Sequence, residues 1–455
     1  MPIEISVHRI SRFIAIVVFV LAPLPFGSVD LIWIWIWTML LIASLLTANL
    51  SRVCNSDLWV IGPTGAILLL LCALAVFQIS PGVSDALADP SWRIARDVAG
   101  VTEPNRISAT ASVPWIAFGS CLLFVLALLR AYLLATGEEA ARQMLKAIAY
   151  AGFAYALYGI LAHLLAPTML LWRSKEYYLP YATGTFVNRN TAAVFWGSCS
   201  VLFLGRLAPI VSDALMAKPA RRHYDYSFTD HPASLAVGFL TCLVATGMTG
   251  SRAGVLLTLL SLACLANLHL MQLRFQSRHY WLGAGAVAAA TIVGFLLIGG
   301  NVIGRVGLFG LTDGQRAEVY RTALEILRGH ELFGIGIGNF ETAFPPYRPG
   351  NLGSQGIWDK VHSTPLEMMV SVGLPLGAAI CAIAVFFWGR MLWGAFSRLR
   401  DRDIPATAAS VFLLGVLHSC IDFSLQIAGF AVVFAAICGC GLAQSISTTR
   451  RPQRA

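Results

Sequence analysis

Arg252, Arg316 and His362 are the residues of this sequence whose types and settings could do chemistry. Arg252 stands in Ser251-Arg252-Ala253-Gly254, where two apolar runs meet and no acidic residue is near in sequence. Arg316 falls in the first turn of a helix expected over 314–329. A cation there opposes the helix macrodipole at a cost of about 0.3–1 kcal/mol, yet an arginine beside free N–H groups makes a seat for an anion. His362 precedes an apolar run in His362-Ser363-Thr364-Pro365-Leu366-Glu367, and a histidine's ordinary pKa near neutrality suits proton transfer. A further basic place is Gly184-Thr185-Phe186-Val187-Asn188-Arg189-Asn190, with Arg173 and Lys175 close before it. Plainer readings stand beside these: a solvated Arg316, an Arg252 that snorkels to an interface, a structural His362. Together, arginines and one histidine fit binding of a diphosphate and activation of a hydroxyl. No Asp/Glu cluster or His/Cys set has metal-ligand spacing.

Lipid is the solvent for the elements that must position them. The 455 residues are 57% hydrophobic and only 12% charged, with mean hydropathy +0.71, far from a soluble composition. A spanning helix needs about 20 mainly apolar residues. Such runs lie at 12–27, 31–50, 58–80, 113–136, 143–166, 190–210, 233–250, 253–272, 281–300, 364–388, 406–425 and 427–446. The sequence therefore predicts an all-α polytopic membrane protein of about 12 transmembrane helices.

The net charge of +9 is a matter of topology and not of a nucleic-acid partner. With the N-terminus inside, the inside segments hold nineteen basic and nine acidic residues, the outside segments thirteen and twelve. That is the positive-inside rule, and it puts both termini in the cytoplasm. The first apolar run lacks a small-x-small cleavage site and is followed at once by the second, so it reads as a retained helix and not a signal peptide. The ten cysteines fall almost entirely in apolar runs, as buried thiols without disulfides.

Three outside segments remain: 81–112, 167–189 and the long 301–362. The last is too long for a connector and should fold onto the outer face. Within it, 314–329 reads as an amphipathic helix, with Thr312 and Gln315 at capping-box spacing and Val319, Ala323, Ile326 and Leu327 at helical period. Arg316 and Tyr320 share a face one turn apart. Gly334-Ile335-Gly336-Ile337-Gly338 has no preceding strand and reads as a tight turn back to the membrane rather than a nucleotide loop. His418 and Asp422, one turn apart, read as an internal pair that packs helices. Three parts are expected: 1–300 with helices one to nine, the periplasmic segment 301–362, and 363–455 with helices ten to twelve and a cytoplasmic tail.

In order and placement these residues resemble the O-antigen ligase and polymerase superfamily, bacterial membrane glycosyltransferases that use undecaprenyl-diphosphate-linked glycans. The resemblance covers most of the chain. It is carried by Leu24-Pro25-Phe26-Gly27-Ser28-Val29, the Gly184–Asn190 loop, Ser251-Arg252-Ala253-Gly254, and Gly314-Gln315-Arg316 leading to Leu332-Phe333-Gly334-Ile335-Gly336 and Asn339-Phe340. It continues with His362 leading to Glu367, with Gly373-Leu374-Pro375, and with Asp422-Phe423. It implies a GT-C-like helical fold with a periplasmic site, in which Arg252 and Arg316 match the family's two arginines and His362 its histidine. The sequence departs at Ser363, where many relatives have Asn, and at Gln315 between the usual Gly and Arg, which makes Arg321 the alternative second arginine. Asn188, Arg189, Asn190, Tyr320 and Arg321 complete the candidate substrate-binding set.

The implied reaction is metal-independent, inverting transfer of a glycan from undecaprenyl diphosphate to an acceptor hydroxyl, on a glycan or a lipid A core, at the periplasmic face of the bacterial inner membrane, with no cofactor. A polymerase of the same superfamily is the alternative. A single sixty-residue outside segment, as opposed to two comparable ones, leans towards ligase. From another class, a transporter or flippase for a lipid-linked or anionic solute would bring inverted repeats and charges near the midplane, whereas here no repeat is visible and the ionisable residues gather at the outer surface.

Overall fold

The computed structural model describes residues 2–48, 53–100, 102–215, 228–272, 314–352, 358–398 and 400–446. The helix expected at 281–300, the segment from 301 to 313 and Thr312 within it lie outside the described residues. The helices are α1 (Pro2–Leu21), α2 (Leu31–Leu46), α3 (Leu58–Ile79), α4 (Pro90–Ala99), α5 (Val113–Leu134), α6 (Glu138–Leu165), α7 (Arg189–Leu215), α8 (Pro232–Met248) and α9 (Arg252–Gln272). They continue with α10 (Gly314–Leu327), the single-turn α11 (Phe340–Ala343), α12 (Thr364–Val372), α13 (Leu374–Ser397), α14 (Asp403–Ser419) and α15 (Ala428–Ala443). One two-stranded hairpin, β1 (Met169–Leu170) and β2 (Arg173–Ser174), joins α6 to α7.

Among the described residues, six helical stretches are long and apolar enough to cross a membrane: Asn55–Ile79, α5, α6, Arg189–Asp213, α9 and α13. Four shorter apolar helices, α2, α8, α14 and α15, stand with them. The protein is a multi-pass, all-α membrane protein. Between helices in lipid no hydrophobic gain separates packed from exposed apolar surface, so close backbone approach through small residues decides which helices meet. Every residue of α15 is buried. A methyl group on its Gly439 would lie 2.5 Å from the Leu128 carbonyl of α5. Gly197 and Gly205 of α7 leave room for Thr258 of α9 and Thr407 of α14 in the same way.

The described loops gather at two ends of this bundle. At one end Arg12 meets Gln143, Arg142 pairs with Asp401 and Asp403, each at 2.7 Å, Lys146 with Asp230 at 2.7 Å, and Gln444 donates to the Ala135 carbonyl at 2.6 Å. At the other end lie the loops that carry the candidate residues.

Two elements differ from expectation. The first helix stops at Leu21, because Pro23 and Pro25 cannot continue it, and the chain passes through three consecutive left-handed residues, Phe26 (φ 55°), Gly27 (φ 69°) and Ser28 (φ 54°). Ser28 Oγ donates to the Ala22 carbonyl at 2.6 Å and accepts from the Trp37 indole at 2.8 Å, which fixes this turn. Against it sits the Gly184–Asn190 loop: Thr185 donates to the Pro23 carbonyl at 2.7 Å, and Phe186 packs where a Gly27 side chain would be, 2.7 Å from the place of its Cβ. The expected helix 364–388 is broken into α12 and α13 at Gly373, whose φ of 81° and ψ of 164° are not helical. A side chain at Gly373 would overlap the Leu332 backbone.

Candidate active site

Helix α10 is built as its apolar period requires. Val319, Ala323, Ile326 and Leu327 are buried against Ile335, Phe340, Phe344, Leu352, Val361 and Val370. The face one turn along carries Tyr320, whose hydroxyl donates to the His362 carbonyl at 2.9 Å, and Arg316, whose Nη1 donates to the Ile421 carbonyl at 2.9 Å. Arg316 Nη2 lies 3.4 Å from Asp422 Oδ2. Arg321 goes elsewhere: it is 74% exposed and pairs with Glu318 at 2.6 Å, on the same helix.

Asp422 is the hub of this end. Its Oδ2 accepts from the Asn190 amide at 2.6 Å, its Oδ1 from the Phe423 backbone N–H at 2.8 Å, and its backbone carbonyl from Thr364 Oγ1 at 3.3 Å. A buried carboxylate is tolerable only with such donors and a counter-charge. The start of α7, α10, the start of α12 and the loop after α14 thus meet on one residue. The expected pairing of His418 with Asp422 is not what forms. Helix α14 ends at Ser419, so Asp422 swings off the helix, and His418 Nδ1 instead meets Ser424 Oγ at 3.1 Å.

His362 has a left-handed backbone (φ 61°). Histidine tolerates this region better than most residues, at a cost of about 1–3 kcal/mol. The surroundings hold it there: its ring lies edge-on to Phe423, centroids 4.9 Å apart, and to Trp358 at 5.6 Å. Glu367, one turn into α12, accepts from the Val361 N–H at 2.8 Å and lies 3.8 Å from Lys360 Nζ, closing the strap on both sides of the histidine.

Asn188 caps α7, its Oδ1 accepting from the Asn190 N–H at 2.7 Å. Arg189, the first residue of α7, puts its guanidinium 4.3 Å from the Tyr181 ring centre and 5.3 Å from that of Tyr178. Burial pushes the Tyr178 phenol up from its ordinary value; the charge of Asp422 adds to this, while Arg189 and Arg316 oppose it, so all three act on one hydroxyl. Arg252 is likewise the first residue of its helix, α9. The turn before it is left-handed at Gly250 (φ 60°), the Tyr181 ring occupies the space a side chain there would need, and the Ala182 N–H donates to the Met248 carbonyl at 3.0 Å. Gly254 of α9 abuts Ala193 of α7. Two helix starts, each led by an arginine, therefore stand side by side. The network around Asp422 joins Arg316, Tyr320, His362 and Asn190, Tyr181 links Arg189 to the start of α9, and Arg321 is apart.

Two buried amides hold the 328–344 stretch on the bundle; sequence reasoning missed Gln78 and singled out Asn339 only as part of the Asn339-Phe340 motif, without this role. Gln78, at the end of α3, donates to the Phe333 carbonyl at 2.7 Å and the Ser371 carbonyl at 2.9 Å and accepts from the Ile337 N–H at 3.0 Å. Asn339 donates to Ser108 Oγ at 2.5 Å and accepts from Thr110 Oγ1 at 3.0 Å. Between them Gly334, Gly336 and Gly338 all have positive φ, and the turn lies so close to the Ser371 backbone that a side chain at Gly334 would overlap it. A lone Gln at the end of an apolar run, polar yet deep, was the signal available for Gln78.

Among the described residues, no group of three or more His, Cys, Asp and Glu side chains is placed to hold a metal ion. The groups at this end suit an anion and a hydroxyl: arginines at helix starts, where N–H groups point outward, and an imidazole beside them. Residues 237–381 match the family model described as O-antigen ligase. This match supports membership of the O-antigen ligase superfamily. No curated protein matches the chain. The O-antigen ligase match supports, in general terms, a glycosyltransferase of the ligase or polymerase type, a class whose substrates are a lipid-linked glycan and an acceptor. The matched stretch, from α8 into α13, includes Arg252, Arg316 and His362, while Asn190 and Asp422, which complete the network of this O-antigen ligase relative, lie on either side of it.

Proposed function

We propose that the protein is an O-antigen ligase of the bacterial inner membrane, transferring a glycan from undecaprenyl diphosphate to an acceptor hydroxyl on the periplasmic face, within a twelve-helix GT-C-like fold whose termini are cytoplasmic. The observation that carries this reading is the Asp422 network, in which Arg316 is held within 3.4 Å of a carboxylate that also fixes Asn190, with His362 beside it against Phe423.

In the proposed reaction Arg252 and Arg316 bind the diphosphate and stabilise the charge that grows on it as the C1–O bond breaks. The acceptor oxygen attacks C1 from the opposite face, forming the new glycosidic bond and inverting the anomeric centre. The proton of the acceptor hydroxyl passes to His362, and the undecaprenyl diphosphate leaves with the bonding electron pair. Asp422 positions Arg316 and Asn190. Residues 301–362 are, in this reading, the periplasmic segment that carries Arg316 and His362. The donor arrives already activated on lipid, so neither nucleotide sugar nor metal enters.

The test is transfer by purified protein with defined donors. Arg252→Ala and Arg316→Ala each reduce turnover by about 10²-fold or more while the proteins still insert. If both kept the wild-type rate, the arginine assignment would fail. Lipid A core accepting the glycan in preference to a second lipid-linked repeat supports ligase over polymerase.

A further inference from the structure

The hairpin between α6 and α7 is built against its own folding preference. Register pairs Met169 with Ser174 and Leu170 with Arg173, leaving Leu171 and Trp172 as a two-residue turn. Glycine would suit the first place of such a turn, where φ is positive. Here Leu171 takes φ 55°, and seven residues on Tyr178 takes φ 58°. Bulky residues in this region mark strain that points to a use. What the strain achieves is display: Trp172 at the tip is 66% exposed and Tyr177 is 64% exposed.

The display is rigid. Trp172 stands edge-on to Phe26, centroids 4.8 Å apart. Arg173 covers the Phe26 ring at 4.1 Å and lies 3.6 Å from Asp30. The Leu171 N–H donates to the Tyr158 hydroxyl at 3.2 Å, and Lys175 Nζ donates to the Tyr181 carbonyl at 2.6 Å. From this hairpin the chain runs through Tyr178 and Tyr181 to Arg189. Arg173, Ser174, Lys175 and Glu176 separate the two exposed rings in sequence.

We propose that the 169–178 hairpin is a glycan-stacking platform: Trp172 and Tyr177 receive pyranose rings of the transferred glycan, and the charged residues between them bond its hydroxyls. The proposal rests on the reading of the protein as a glycosyltransferase and adds where sugars beyond the reacting one are held. A pyranose offers one face of C–H hydrogens, which suits the negative face of an aromatic ring, and a rim of hydroxyls, which suits Arg, Lys and Glu. Aromatic residues that merely meet lipid headgroups need no strained turn to lift them.

The test compares donors bearing a long glycan and a single sugar, using wild type, Trp172→Ala, Trp172→Tyr, Trp172→Leu and Tyr177→Ala. Trp172→Ala and Tyr177→Ala each raise KM for the long donor about fivefold to tenfold, as one lost stacking contact requires, with kcat within about twofold. The effect on the single-sugar donor is smaller. Trp172→Tyr keeps the wild-type KM, and Trp172→Leu behaves as the alanine variant. An unchanged KM for the long donor in the alanine variants overturns the proposal, and so does full rescue by leucine, which would make Trp172 a membrane anchor. Should wild type itself transfer nothing, it is the glycosyltransferase reading that fails. The platform is then judged by saturation-transfer NMR with the released oligosaccharide, where contact in wild type that Trp172→Ala abolishes supports it and no contact overturns it.

Discussion

The Asn190 side-chain amide donates to Asp422 Oδ2 at 2.6 Å, joining the first turn of α7 to the loop after α14. Since Arg316 approaches the same oxygen at 3.4 Å, the position of this arginine depends on a carboxylate far from it in sequence. Asp422→Asn keeps the shape and removes the charge. Turnover by the variant falls about tenfold to a hundredfold, while its melting temperature in detergent changes little. A rate within twofold of wild type would separate Asp422 from the reaction.

Arg316 and Arg321 differ in setting, and their variants should differ in kind. Arg321 is exposed, and its pair with Glu318 is worth about 0–1 kcal/mol, as surface pairs are. Arg316→Ala lowers transfer at least about tenfold more than Arg321→Ala, measured side by side on one donor preparation. Equal losses would reopen the choice between them.

Gln78→Leu removes one donor pair and one acceptor from three buried backbone groups, those of Phe333, Ser371 and Ile337. Each group left unsatisfied costs about 1–3 kcal/mol. The variant melts at a clearly lower temperature, and protease cuts the 328–344 stretch sooner. An unchanged melt would show that this latch holds nothing.

At Gly27, φ is 69° and Phe186 fills the space of a side chain. Gly27→Ala therefore strains the turn and pushes on the loop that carries Asn188, Arg189 and Asn190, lowering both melting temperature and transfer. Gly62, in α3, has nothing within 4 Å. Gly62→Ala stabilises by about 0.5–1 kcal/mol, the helix-propensity gain. The opposite ordering in thermal melts would contradict the close packing at Gly27.

The apolar runs were legible because lipid imposes a length and a composition on every span. The amphipathic period of Val319, Ala323, Ile326 and Leu327 placed α10, and the glycines from 334 to 338 placed a turn, both from local rules. What depends on contacts far apart in sequence was not legible. Asp422 read as a partner for His418 because helical spacing was assumed through it, and only the end of α14 at Ser419 frees it for Asn190 and Arg316. Gln78 carried no motif, and the Asn339-Phe340 motif did not show what its amide holds, since a buried amide is recognised by the groups it meets. The left-handed turn at Phe26 was hidden too, because phenylalanine and serine have no preference for it.

Glycosyl transfer at this bundle end is proposed to rest on its arginines and His362. The most direct measurement is transfer from an undecaprenyl-diphosphate-linked glycan by purified protein in the presence of EDTA, wild type beside His362→Ala. Wild type forms product, and the variant loses about 10²-fold or more of the rate. Wild-type transfer that EDTA abolishes, or a His362→Ala protein as fast as wild type, would contradict that proposal.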